Sequence, residues 1–276
     1  MRASRLVPGF FLVIPFCPFP AAGAETPLSA PAPVAKQGVT AEPRLDIAAF
    51  EAKERRLASQ VSKAPKEVAA LLELGRLKRA RQDYAEAVRC FNQALDADPA
   101  SLEAEILLSH ALLDAGQYNQ SLAMAERLIK DERHKRLAPA LQAELYTTLG
   151  LSQGRKATAE GMVAMMRFGP AMRQNLERAL ERDPDYPLAN LALGRFFLEA
   201  PAFAGRDTER GDRLVAKAVT LAPTDVMIRS QHLESLVALG RKAEAKAQVE
   251  RYMSTFGTFA PALDALKPVV ARLAQN

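Results

Sequence analysis

The sequence predicts an all-α protein, a helical solenoid of about five helix-turn-helix units with a cap helix at each end. Three observations carry this expectation. The 276 residues are rich in Ala, Leu, Arg and Glu and contain no Trp, a composition that favours helices. From Asp46 onward apolar residues recur at helical spacing, the pattern of helices with one buried face. Small residues and prolines also recur at fixed distances, the mark of a repeat array. Ala94 lies five residues before Pro99, Ala179 five before Pro184 and Ala218 five before Pro223. Eight residues before the same prolines stand Phe91, Leu176 and Val215, all apolar.

The N-terminus belongs to a different class of segment. "MRASR" is basic, and Leu6 to Phe16 is an apolar run of eleven residues. Ala22-Gly23-Ala24 has the small-x-small form of a cleavage site, so residues 1–24 are expected to be a secretory signal. The run is too short to span a bilayer, and no transmembrane segment is expected elsewhere. Pro15 and Phe16 before Cys17 are not the small residues that lipid attachment needs. The expected destination is a bacterial periplasm. Cleavage would leave one cysteine, Cys90, so no internal disulfide is expected. Residues 25–43, rich in Pro and Ala, bury too little apolar surface to offset their ordering entropy and are expected to form a disordered tether. The net charge of +5 is mild for this length. With no basic clusters interleaved with aromatics, no nucleic-acid partner is expected.

The remaining chain divides into a cap helix at 44–64, an array at 65–257 and a cap helix at 258–276. The units of the array are placed at about 68–101, 102–135, 139–186, 187–225 and 226–257. In the first unit Gly75 and Ala87 are small because two helices cross there. Phe91 and Ala94 supply a knob and a gap for the next unit. Pro99 ends the second helix, since it lacks an N–H to continue the ladder. The second and fifth units keep the turn, at Gly116 and Gly240, without the proline.

The third and fourth units carry insertions. Gly75 to Pro99 spans 24 residues, whereas Gly150 to Pro184 spans 34 and Gly194 to Pro223 spans 29. The extra ten fall in "QGRKATAEGMVAMMRFG", where Met162, Met165, Met166 and Phe168 are expected to be core filler, with an adaptable binding surface as the alternative. The extra five fall at "EAPAFAG", an elongated turn in which Pro201 stops one helix and Gly205 turns the chain into the next. Gly211 then takes the close-packing place of Ala87. Despite its glycines, this stretch has neither the preceding strand nor the lysine register of a phosphate loop.

These residues resemble the tetratricopeptide repeat, a helix-turn-helix unit of about 34 residues, over residues 65–257. Within it, "LGLSQG" and "NLERALERDPDYPLANLALGRFFLEAPAF" resemble the repeat region of the regulator-of-microtubule-dynamics proteins and their bacterial relatives, over about 140–255. That second resemblance implies architecture only. The first implies a superhelix whose concave face is lined by the first helix of each unit. Here that face is expected to consist of Leu72, Arg76, Arg79, Ile106, His110, Leu113, Thr147, Leu151, Leu191, Arg195, Leu198, Ser230 and Glu234. The carboxylate clamp of some relatives is absent, because its places hold Leu72, Arg76, Ile106 and His110.

Catalytic chemistry is not expected. The three histidines, His110, His134 and His232, have no partner at metal-ligand spacing, and no Gly-x-Ser-x-Gly elbow occurs. No cofactor or metal is anticipated. The function expected is an exported, non-catalytic scaffold that binds a protein or peptide, of acidic character if the arginines of the concave face contact it. The alternative is a carrier or chaperone that holds a small apolar or lipid-like ligand in the enlarged third and fourth units.

Overall fold

A computed structural model of the chain describes residues 43–275. The expected signal, Cys17 and all of the tether before residue 43 lie outside the described residues. Twelve α-helices follow in order: α1 (Ile47–Lys63), α2 (Val68–Ala80), α3 (Tyr84–Ala97), α4 (Leu102–Asp114), α5 (Tyr118–Lys130), α6 (Pro139–Glu160), α7 (Met162–Arg182), α8 (Pro187–Glu199), α9 (Thr208–Leu221), α10 (Val226–Ala238), α11 (Lys242–Phe256) and α12 (Ala260–Ala274). Short 3-10 helices at Glu132–Arg136 and Ala202–Ala204 link α5 to α6 and α8 to α9. The architecture is a helical solenoid of paired antiparallel helices.

Local chemistry sets the helix ends. Asp46, Asp83, Ser101, Asp207 and Asp225 cap α1, α3, α4, α9 and α10 by accepting from backbone N–H groups of the first turn, which satisfies donors that have no partner within the helix. Pro99, Pro184 and Pro223 each stand two residues beyond a helix end, after α3, α7 and α9.

Within a pair the helices approach closely. A Cβ added to Gly75 would lie 2.5 Å from the Phe91 ring, and one on Gly150 would lie 3.0 Å from the Met172 carbonyl oxygen. Gly194 and Gly211 meet backbone to backbone, since a Cβ on either would come within 2.9 Å of the other's carbonyl oxygen. Ala87, Phe91, Ala94, Ala179 and Ala218 have no exposed surface. In the second and fourth units the first helix is buried on nearly every side: Ile106 to Leu113 in α4 and Leu188 to Leu198 in α8 are continuously buried. These stretches are apolar almost all round, which suits central helices rather than amphipathic surface ones.

The array then closes on itself. The backbone N–H of Leu45 donates to Thr255 at 2.9 Å, and the Phe50 ring meets the edge of Phe259 at 5.5 Å. Leu45, Ile47 and Phe50 pack against a core of Val226, Tyr252, Phe256 and Leu266. The beginning of the first cap helix thus covers the last unit and the final cap.

The insertion in the third unit becomes helix. α6 and α7 run for 22 and 21 residues, against 13 or 14 in the helices of the first, second and fourth units. The expectation that its methionines fill the core is corrected here. Met162 and Met166 are 64% and 75% exposed, Met165 and Phe168 are half-buried, and Met172 is the methionine that enters the core. The lengthened pair outruns its neighbours, so its tip has nothing to pack against.

The crossing of α2 and α3 sets a stability test. Ala87 is fully buried whereas Ala85 is exposed. Ala87→Leu should cost ~1–3 kcal/mol through overpacking, and Ala85→Leu should be nearly neutral. Thermal melts of the two variants check this, and equal melting temperatures would contradict the crossing. Ring closure has its own measurement. A double-mutant cycle on Phe50→Ala and Phe259→Ala should give a coupling of ~0.5–1.5 kcal/mol, whereas an open array would give none.

Candidate interaction groove

The inner side of the closed array carries a polar network built mainly from the first helices. On α2, Arg79 donates from Nε to Asp114 Oδ2 at 2.8 Å and from Nη1 to Glu144 Oε1 at 3.0 Å. Its Nη2 lies 2.9 Å from His110 Nε2, while His110 Nδ1 lies 2.8 Å from Glu144 Oε1. A guanidinium only donates, so His110 Nε2 is the acceptor there and Nδ1–H donates to Glu144. Three successive first helices, α2, α4 and α6, are tied together by these four side chains.

A second group continues along the same side. Arg195 on α8 donates to Glu199 Oε1 at 2.9 Å and to Gln231 Oε1 on α10 at 3.1 Å. Arg155 on α6 feels the charges of Arg195, Asp114 and Glu234, and Glu234 on α10 feels Arg195, Arg272 and Arg155. Asp225, the cap of α10, lies within range of Arg79 and Asp114. The first and fifth units therefore face each other across a narrow interior.

Burial acts on the ionisable groups of this interior. Burial, helped by a like charge nearby (Asp114, Glu199 and Arg195 in turn), raises the Asp225 and Glu234 carboxyls and lowers the Arg155 guanidinium, each time disfavouring the charged form. Burial also raises the Tyr84 and Tyr186 phenols. Glu144 behaves oppositely. Burial pushes it up, but the hydrogen bond from His110 and the charge of Arg79 bring it down to about 2. Arg79 is likewise held above its ordinary value by Asp114 and Glu144, against the effect of burial.

The expected concave-face residues divide into two sets. Arg79, His110, Arg195 and Glu234 do belong to this network. Leu72, Ile106, Leu113, Thr147, Leu191 and Leu198 are buried and offer no contact surface, so their assignment to partner binding is corrected. Each first helix packs against its own second helix and against the first helix of the next unit, and that packing takes these side chains into the core. His110 itself is fully buried and Arg195 is 9% exposed, so both act through their polar partners. Ser230 is buried and Leu151 half-buried. Arg76 is exposed and pairs with Glu103 at 2.6 Å.

Asp114, Glu144, Arg155, Tyr186 and Asp225 were not singled out by sequence. Two of them had a signal, since Asp114 follows His110 and Arg155 follows Leu151 by one helical turn on the same face. α6 and α7 are in close contact at Gly154, where a Cβ would lie 2.6 Å from Met172 Sδ.

Two measurements test the network. Arg79→Met leaves Asp114 and Glu144 buried without their cation, and breaking such a pair typically costs ~3–5 kcal/mol; denaturant unfolding gives the value. Glu144 takes its proton near 4.5 when unfolded but near 2 when folded. Its stabilisation is therefore complete above pH 4.5 and is lost as pH falls through about 2. Acid titration of Glu144→Gln should show a shallower loss over that window than the parent chain.

A family model described as tetratricopeptide repeat matches residues 78–145. Among solved structures, the fold is similar to that of a thermophilic tetratricopeptide-repeat protein of Thermus thermophilus, at 23% identity, covering 75% of this chain and 99% of that one with a TM-score of 0.58. A tetratricopeptide-repeat protein from Parabacteroides merdae matches at 16% identity over 83% of this chain and 82% of its own, with a TM-score of 0.45. YrrB, described as having an unusual peptide-binding site, matches at 12% identity over 76% of this chain and 97% of its own, with a TM-score of 0.37. No curated protein matches the chain. Residues 78–145 thus carry the tetratricopeptide-repeat signature, and the likeness to the Thermus thermophilus protein is one of fold.

Proposed function

We propose that this protein is an exported, non-catalytic scaffold that holds a peptide segment of a partner protein against the inner face of its array. The observation that carries this reading is the row of half-buried polar groups formed by Arg155, Tyr186, Asp225 and Glu234. Burial disfavours the charged forms of Arg155, Asp225 and Glu234. A bound segment that supplies hydrogen bonds and opposite charge would relieve that cost, which gives the row a reason to bind. Tetratricopeptide repeats are an interaction fold, and helix faces of mixed polarity suit peptide recognition.

The row carries both signs of charge, so the partner segment is polar and of mixed charge. A purely acidic partner fits less well. Arg76, Arg79 and Arg195 are engaged by Glu103, Asp114, Glu144 and Glu199, and an acidic chain would have to displace those carboxylates. Export rests on the basic start, the apolar run and Ala22-Gly23-Ala24. N-terminal sequencing of secreted protein should begin at Glu25.

Site-specific photo-cross-linking in the native cells tests the binding face. A photoreactive side chain at Glu234 should trap a partner protein, while one at Lys246, exposed on α11, should not. Equal trapping at both positions, or trapping at Lys246 alone, would move the binding surface to the outside of the array.

A further inference from the structure

We infer that the tip of the α6–α7 hairpin is a docking surface for an anionic phospholipid bilayer. This surface is separate from the inner face, and the inference stands independently of the peptide-binding reading. Among the described residues, Met162, Val163 and Met166 are 64%, 82% and 75% exposed, and they occupy adjacent positions on one helix. The other exposed large apolar side chains, Leu221, Met253 and Val270, lie on three different helices and are 38–46% exposed. Clustered exposure of this kind marks an interaction surface, whereas scattered exposure is ordinary. A Cβ on Gly161, the residue between the helices, would meet nothing within 4 Å, so the tip stands in open space.

The chemistry is layered along the hairpin. The apolar residues are outermost, at the start of α7. Behind them Phe168 is flanked by two cations, with Lys156 Nζ at 5.9 Å and Arg167 Cζ at 5.2 Å from the ring centroid. Met162 and Phe168 are six residues apart, about 9 Å of helix. Surface-bound elements enter the headgroup boundary by roughly 5–10 Å. Seating the tip to that depth puts the methionines and valine among acyl chains, and the aromatic ring with its cations at the phosphates. Glu160 shares this end of the hairpin, but Lys156 neutralises it at 3.1 Å, which leaves Arg167 to set the sign.

A second protein copy is a poorer occupant. Three side chains on a convex tip fall short of the roughly 800 Å² per partner that a stable protein interface buries, and a bilayer asks for no complementary shape. The location also accounts for the insertion. The added residues lengthen both helices of this unit, carry the apolar cluster past the neighbouring units and leave it uncovered.

An environment-sensitive fluorophore attached at Val163→Cys reads the tip directly in the full chain, with Cys17→Ser and with Cys90 buried. Adding phosphatidylglycerol vesicles should raise and blue-shift the emission, and lipids spin-labelled near the headgroup should quench it. Neutral phosphatidylcholine vesicles should give a much weaker response. Met162→Asp with Met166→Asp should abolish the change, and Arg167→Glu should weaken vesicle partitioning by roughly tenfold or more. Circular dichroism identical to that of the parent chain confirms that each variant is folded. Vesicle binding of the chain with no response at position 163 would overturn the proposal, since contact would then lie elsewhere. So would an equal response to neutral vesicles, or a response to protein concentration without lipid, which would identify a second copy as the occupant.

Discussion

The close crossing of the two helices in each unit is the constraint on which the rest of the array depends. At Gly194 and Gly211 the two backbones meet without intervening side chains. At Gly75 the Phe91 ring fills the place where a Cβ would have stood. Because each pair is thin, the first helix of one unit can pack against the first helix of the next. Those helices then become a shared inner layer, buried on nearly every side in the second and fourth units. Dispersion and apolar burial accumulate there, and the conformation of one unit becomes the template for its neighbour.

That inner layer explains why the interior is polar in an unusual way. Side chains on first helices that point inward meet either the next helix or a narrow space. Those meeting a helix are apolar, as at Leu72, Ile106 and Leu191. Those meeting the narrow space are ionisable and must find partners, since an unpaired buried charge is costly. Arg79 finds Asp114, Glu144 and His110, and Arg195 finds Glu199 and Gln231. The network ties units together at the same time as it gives the inner face its chemistry.

The insertions respond to the same constraint in two ways. In the fourth unit the extra residues form a 3-10 turn outside the crossing, where Gly205 adopts a left-handed conformation with φ of 93° that most residues avoid. In the third unit they extend both helices beyond the crossing, and the excess projects outward. Neither insertion disturbs the point of closest approach. Length is added where packing places no limit on it.

By itself the sequence determined the class of fold. Helix-forming composition, small residues at Gly75, Ala87, Gly194 and Gly211, and prolines at fixed distances are local signals, and local sterics turn them into paired helices of one repeating kind. It also marked Arg79, His110, Arg195 and Glu234 as sharing a side, because the repeat register places them on the first helices of their units and the resemblance puts those helices on one face. Tertiary structure alone decided which of those positions meet solvent. Leu72 and Ile106 have the same periodicity as Arg79, yet they are covered by the next unit's helix. Tertiary structure also decided that Met162 and Met166 are exposed, since a methionine at helical spacing reads as core until the neighbouring helix is seen to end. Closure of Leu45 and Phe50 onto Thr255 and Phe259 joins residues some two hundred positions apart in sequence. No local pattern encodes that contact, because it joins residues that no helix or turn brings together.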